Sequence, residues 1–241
     1  MFLKRQTIRV KKLAFVAAHP MCWHPLRLGV APAIEHHQVL KQISVDGIID
    51  VGANRGLFSL ECRVLKPSIP IVAFEPIPAM AKIYKQVHQG CQHVELIESA
   101  LGETRGTAVL HVSKEADSSS ILPIGHQQSQ LFPNTHEVGT LSVSVNRLDD
   151  YEDRWRGKSK LLLKIDVQGF ELSVLRGAVA TLQKCLFVYV ECSEVELYEG
   201  QALRREVNQF LEQNGFTEHG VFNRHVHGGK LIQADYLFSK R

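Results

Sequence analysis

Residues 48–56 read I-I-D-V-G-A-N-R-G. A short apolar run stops at Asp50, and glycines follow at Gly52 and Gly56. A run of that length closed by glycine reads as a buried strand ending in a turn. A dinucleotide fingerprint, G-x-G-x-x-G, needs its second glycine where the backbone approaches a pyrophosphate. Counted from Gly52, that position is Asn54 and the third is Leu57, so the fingerprint fails at two places. The two glycines still allow a tight turn close to a ligand. The plainer alternative is an ordinary strand-to-helix turn, which glycine commonly makes in α/β folds.

Outward from this stretch, strands are expected over 47–53, 69–74, 94–101, 161–167 and 187–192. Helices are expected between them, over 56–65, 78–88, 170–183 and 200–214, the second with a proline in its first turn. Residues 107–113 and 140–145 alternate like hairpin strands. The polar segment 114–139 between them is long enough to be a lid or a mobile loop. Segments 216–222 and 235–239 are joined by too short a link for a helix and read as a hairpin. Residues 1–46 read as an N-terminal extension with a helix over 33–43, and 47–241 as the main domain. Such alternation gives an α/β fold with a mostly parallel sheet, helices on both faces and one antiparallel strand.

The 241 residues are 44% hydrophobic and 22% charged, enough for one large domain with a real core. Lys plus Arg is 28 against 25 for Asp plus Glu, a formal charge of +3. That excess is too small and scattered to argue for nucleic acid. Much of it is Lys4, Arg5, Arg9, Lys11 and Lys12, ahead of L-A-F-V-A-A (13–18). Six apolar residues interrupted by His19-Pro20 are short for a signal peptide, and no window approaches a membrane span. Five scattered cysteines without a C-x-x-C pair suit reduced thiols in a cytoplasmic protein.

In such sheets ligands bind beyond the carboxyl ends of the strands. Those tips are D-V-G-A-N-R-G, F-E-P, S-A-L-G, K-I-D-V-Q-G and E-C-S-E. Glu75 ends the second strand, 23 positions after Gly52, near where an acid holds a ribose diol. Its plainer role is to favour the helix dipole beside Pro76. Asp50, Glu75, Asp166 and Glu191 make the tips acidic, with Arg55 the one nearby cation. A pyrophosphate is repelled by such a ring. S-adenosylmethionine, which carries adenosine, a sulfonium and an amine but no phosphate, suits it better.

With these residues in place, the sequence resembles the FkbM family of S-adenosylmethionine-dependent methyltransferases. The matching stretches are I-I-D-V-G-A-N-R-G-L-F-S (48–59), A-F-E-P (73–76), S-A-L-G (99–102), L-K-I-D-V-Q-G-F-E-L-S-V-L-R-G-A (163–178) and V-E-C-S-E (190–194). They cover roughly residues 30–240, and K-I-D-V-Q-G-F-E is the most specific of them. The resemblance implies a Rossmann-like class I methyltransferase fold. This is a three-layer sandwich whose seven-stranded, mostly parallel sheet has its last strand antiparallel. It implies O-methylation of a hydroxyl on a small molecule or sugar, with S-adenosylhomocysteine as product. By position, Asp50, Gly52, Asn54 and Gly56 lie along the methionine half of the cofactor. Glu75 takes the ribose, Ser99 and Ala100 border the adenine, and Asp166 stands near the sulfonium and the acceptor. Members often carry Glu at position 168, where this chain has Gln, with one negative charge fewer and an amide that donates and accepts.

Asp166 and Glu191 are the candidate catalytic residues. The general base is open among Asp166, Glu171, Glu191, His126 and His136, and each acid also has a plain reading as a helix or loop partner. Lys164 in a buried strand has no assigned role. His36 and His37 are adjacent, so on a helix they point apart. His225-x-His227 reads as a hairpin tip, because a metal site needs further ligands that the spacing does not supply. No metal is assigned. D-S-S-S (117–120) offers hydroxyls to a sugar-like acceptor. Two rival readings are an NAD-type oxidoreductase and a non-catalytic cofactor-binding scaffold. The expected partner is a small-molecule or glycan acceptor, without nucleic acid or membrane span. Residues 1–46 are free to cover a second copy of the chain in a homo-oligomer.

Overall fold

β1 (Gly47–Val51) is buried at every position, which is why it is a continuous apolar run broken only by Asp50. In the computed structural model, which describes Lys12 and residues 14–241, β1 is an interior strand of a seven-stranded sheet. Lys4, Arg5, Arg9, Lys11 and Leu13 lie outside the described residues. β2 (Ile71–Phe74) and β3 (Val94–Ile97) flank β1 on one side, and β7 (Leu161–Ile165) and β8 (Cys185–Ser193) on the other, all parallel. β10 (Lys230–Lys240) is inserted antiparallel between β8 and β9 (Phe216–His227), giving the order β3-β2-β1-β7-β8-β10-β9. Six strands run one way and β10 runs against them. This is the class I methyltransferase sheet, with its reversed strand at the chain's end.

The helices cover both faces. α1 (His37–Gln42) and α2 (Leu57–Leu65) pack Val39, Leu40 and Phe58 against Ile48 and Tyr189. α3 (Pro78–Val87) follows β2. Residues 14–18 are helical, and Val16, Cys22 and Val30 pack with Leu60 of α2 and Val87 of α3. The described part of the N-terminal segment is thus bound to the chain's own sheet-covering helices. No helix of the described residues is long and apolar enough to cross a membrane.

Four departures from the expected elements have identifiable causes. The third strand stops at Ile97, and Ala100–Leu101 (β4) leaves to join a separate three-stranded sheet with β5 (Gly106–Ser113) and β6 (Glu137–Asn146). The segment expected to be a mobile loop is held down. Ser120 pairs with His111, Ile124 pairs with Tyr198, and 126–131 forms the helix α4 (His126–Leu131). The helix expected over 170–183 breaks after α5 (Glu171–Arg176) at Gly177. A Cβ at Gly177 would collide with the Gly102 carbonyl, so two backbones meet there. The last helix, α6 (Arg204–Gln213), starts later than expected, because Gln201 turns back to accept from the Leu197 and Tyr198 N–H groups.

Register positions the site. Asp50 lies beside Lys164, and Lys164 beside Tyr189. Two residues further along, Asp166 follows Ile165, which lies beside Val190, and Glu191 lies beside Asp235. Side chains repeat every two residues along a strand. Lys164 and Tyr189 therefore share a face with Asp166, Glu191 and Asp235, one row deeper from the carboxyl edge.

Candidate active site

The turn after β1 is built by left-handed backbone. Gly52 (φ 76°), Asn54 (φ 47°) and Gly56 (φ 89°) all adopt it. Gly52 is required by a close approach: a Cβ there would collide with the Asp166 carbonyl oxygen, where β1 and β7 diverge. Gly56 sits against His88 and Tyr84, outside the cavity that Gly52 and Asn54 line. Asn54 tolerates the left-handed region better than most residues, and the bend aims its N–H at Glu75.

Glu75 Oε2 accepts that Asn54 N–H at 2.8 Å, and Oε1 accepts the Ile77 N–H at 2.8 Å. Its side chain is buried, and burial pushes its pKa up to about 7 although both backbone donors pull it down. The carboxylate lines a cavity of about 90 Å³ at the strand tips. Ile77, Ala100, Leu101 and Phe170 give that cavity apolar walls, and Ser99 lies beside Glu75's end. Ser99 Oγ donates to the Ala100 carbonyl and accepts from Asn146 Nδ2 at 2.9 Å, so it is already committed within the protein.

Among the described residues no Lys or Arg lines this cavity, whereas Glu75, Asp117 and Asp166 do. A slot with apolar walls and a carboxylate at the strand end fits adenosine. The missing cations leave a pyrophosphate unpaired, which counts against a dinucleotide. The cavity thus passes the fit for S-adenosylmethionine.

Asp50 lies elsewhere. It is fully buried beneath the turn, outside the cavity lining. Its Oδ2 accepts from Ser59 Oγ at 2.7 Å, and its Oδ1 is 3.2 Å from Lys164 Nζ. The cation that Asp50 was expected to welcome is the chain's own lysine. Lys164 also donates to the Gly52 carbonyl at 3.1 Å and lies 3.7 Å from Asp166 Oδ2. Burial works to lower its pKa, but Asp50 and Asp166 outweigh that and hold it raised. Lys164, not Arg55, is therefore the cation at the centre of the site, and it ties the β1 turn to the β7 tip.

The fourth and fifth tips meet at Gln168, whose backbone is left-handed (φ 56°). Its Nε2 donates to Asp166 Oδ1 at 2.8 Å and to Glu191 Oε2 at 2.7 Å. Its Oε1 accepts from Tyr198 Oη at 2.7 Å, and its backbone carbonyl accepts from Ser120 Oγ at 2.6 Å. An amide can bridge two carboxylates in this way, and a third carboxylate could not. Burial raises the Glu191 pKa well above the usual range, and Asp166 and Asp235 push it further.

Glu171 is not at the surface of the site. Its Oε1 accepts the Val167 and Gly169 N–H groups at 3.2 and 3.0 Å, closing the loop before α5. The acid that holds the loop before α5 is thus Glu171 rather than Asp166, and neither side chain caps the helix. His126 and His136 line neither cavity of the site.

A second, more open cavity of about 560 Å³ adjoins the first. Asp117, Asp166 and Gln168 line both, so they form the partition. Beyond it the walls are polar, with Glu191, Asp235, Asn223 and His36 among them. The D-S-S-S stretch reaches this partition through Asp117. Ser120 is spent on the Gln168 carbonyl instead. Sequence reasoning missed Gln168 as a bridge, and it missed Lys164, Asp235 and His36. Strand register places Lys164 and Asp235, and packing of the N-terminal segment brings His36 to them. Among the described residues no cluster of three or more His, Cys, Asp or Glu side chains could hold a metal ion.

Comparison with known proteins agrees with this geometry. The family described as "Methyltransferase FkbM domain" matches residues 50–218. The 2-O-methyltransferase NoeI of Sinorhizobium fredii is 31% identical over 196 residues, covering 79% of this chain and 80% of that protein. Methyltransferase 1 of Beauveria bassiana is 28% identical over 185 residues, covering 70% and 72% respectively. Methyltransferase sdnD of Sordaria araneosa is 28% identical over 193 residues, covering 70% and 73%. With the sheet order and this match in hand, the chain belongs to the FkbM methyltransferase family and is an S-adenosylmethionine-dependent methyltransferase.

Proposed function

We propose that this methyltransferase acts on a hydroxyl of a small polyhydroxylated acceptor such as a sugar, bound in the second cavity. The observation that carries the reading is the shared partition of Asp117, Asp166 and Gln168 between a largely apolar cavity holding Glu75 and a strongly polar one. The 2-O-methyltransferase among the relatives points the same way. Bound in the first cavity, S-adenosylmethionine supplies an electrophilic methyl on a sulfonium whose leaving thioether is neutral.

The chain's part is chiefly alignment, worth up to roughly 7–11 kcal/mol of barrier when two reactants are held in line. Glu75 takes the ribose hydroxyls, and Gly52 and Asn54 shape the turn beside the methionine half. Ser99 and Ala100 border the base. Asp166, fixed by Gln168 and facing both cavities, balances the sulfonium charge and receives the acceptor's hydroxyl. Glu191, bridged to Asp166 by the Gln168 amide, lines the second cavity beside the acceptor. Four of the five free cysteines are buried, which fits a cytoplasmic setting.

Calorimetry with S-adenosylhomocysteine and with NAD tests the cofactor cavity, and S-adenosylhomocysteine alone should bind. Asp166→Asn should leave that binding intact and lower methyl transfer to a panel of methyl glycosides and phenols by at least about a hundredfold. Transfer by the wild type to none of these hydroxyls, with binding intact, would favour a non-catalytic or non-hydroxyl role.

A further inference from the structure

His36 enters the second cavity from the N-terminal segment, at the end of a 3-10 turn (Ile34–His36). Its neighbour His37 points away and is held by Glu61, with Nδ1 to Oε1 at 2.6 Å. His36 Nδ1 lies 3.0 Å from Tyr189 Oη, and that hydroxyl donates to Asp235 Oδ2 at 2.9 Å. Asp235 Oδ2 is also 3.5 Å from His36 Nδ1 and accepts from Asn223 Nδ2 at 2.7 Å. The His36 ring is fixed edge-on against Phe58 and Tyr189. Only Nδ1 of this ring has hydrogen-bonding partners among the described residues. The imidazole is therefore clamped through Nδ1, with its other nitrogen left for the cavity that His36 lines.

We propose that His36 is the general base of the transfer, oriented by Tyr189 and Asp235. This rests on the hydroxyl-transfer reading above. Asn223 Nδ2 also lies 3.2 Å from His36 Nδ1, but its two hydrogens go to Asp235 Oδ2 and Tyr189 Oη. Because the Tyr189 hydrogen is committed to Asp235, the Tyr189 oxygen accepts from His36 Nδ1–H. That fixes the tautomer whose Nε2 carries a free lone pair. As the acceptor oxygen's electron pair forms the new O–CH3 bond, the C–S bond breaks and its pair stays on sulfur. The acceptor's O–H proton passes to Nε2 and later leaves to water. The imidazolium formed meanwhile is balanced by Asp235.

The other acids are less suited to take that proton. Glu191 accepts from the Gln168 amide, and Asp166 is engaged by Gln168 and Lys164. The charged and titratable groups around His36 are Tyr189 and Glu191 of β8, Arg224 and His225 of β9 and Asp235 of β10. Lys12 and Glu35 are paired with one another beside it, at 3.0 Å. Asp117 and Asp166 face it across the cavity.

Two measurements on the full chain test the assignment. Nitrogen-15 NMR of labelled histidines should show neutral His36 as the Nδ1–H tautomer, and Tyr189→Phe should relax that preference. His36→Asn retains an amide toward Tyr189 but removes Nε2. It should bind S-adenosylhomocysteine within about threefold of wild type, since His36 does not line the cofactor cavity. Its methyl transfer to the methyl glycosides and phenols above should fall about 10²–10⁴-fold. With cofactor saturating at every pH, the decline in wild-type kcat at low pH should vanish in the variant, and added imidazole should restore part of the rate. An Nε2–H tautomer, or a variant with wild-type rate and pH profile, overturns the assignment of the base alone. A wild type that methylates none of these probes instead counts against the hydroxyl-transfer reading beneath it.

Discussion

Glu75 meets two demands at once. Two backbone N–H groups hold its carboxylate in a buried place, yet burial pushes its pKa to about 7. A ribose donating two hydroxyls stabilises the ionised form. Affinity for S-adenosylhomocysteine should therefore be complete above about pH 7 and fall, by up to tenfold per unit, as pH drops below it. Glu75→Ala should weaken binding by roughly 1–3 kcal/mol, the range for losing hydrogen bonds to a charged group, and flatten the pH dependence. Calorimetry from pH 5.5 to 8.5 measures both, and an affinity independent of pH would remove Glu75 from the ribose. Glu75 was legible in the sequence, because a strand-ending acid at a set distance from a glycine turn is a local pattern. Lys164 was visible only as an oddity, because its partner Asp50 is fixed by the alignment of β1 with β7.

At the scale of elements, the β1 turn depends on where another strand passes. Gly52 combines a positive φ with a Cβ position filled by the Asp166 carbonyl. Gly52→Ala should cost more than about 2 kcal/mol in urea unfolding, through backbone strain and displacement of the β7 tip. Gly106→Ala, at a strand position where a Cβ meets open space, should stay close to wild type. Equal effects of the two would mean the crowding is not what selects glycine. The same cause ended the helix expected over 170–183. Helical periodicity continues through Gly177, but the Gly102 backbone occupies the space of a side chain there. Periodicity reads the chain's own neighbours along the sequence, and it is silent about a backbone arriving from a position far away.

For the molecule as a whole, buried carboxyls should set the pH of greatest stability. Glu171 and Glu75 are both raised from 4.5 to about 7, chiefly by burial. Their folded pKa lies above the unfolded one, so their contribution is complete below about pH 4.5 and lost as pH rises through 7. Each shift corresponds to at most about 3 kcal/mol. Glu171→Gln retains an oxygen for the Val167 and Gly169 N–H groups and cannot ionise. It should raise the Tm at pH 8 by at least about 2–4 °C and change little at pH 5. An unchanged Tm at pH 8 would mean that ionising Glu171 costs nothing in the fold.

The sequence by itself determined the strands, their alternation with helices, the reversed last strand and the acidic tips. All of these follow from apolar periodicity and turn chemistry among residues close along the chain. It also placed Glu75, Ser99, Ala100 and Asp166 at strand ends, where the first cavity lies. Only the tertiary structure decided what those residues face. It set Asp50 beneath the site against Lys164, and it bridged Asp166 to Glu191 through Gln168. It also brought His36, from 199 positions earlier, against Asp235 (235 − 36). The physical reason is that pairing register and long-range packing fix which side chains share a face, and neither is written in the spacing of one segment.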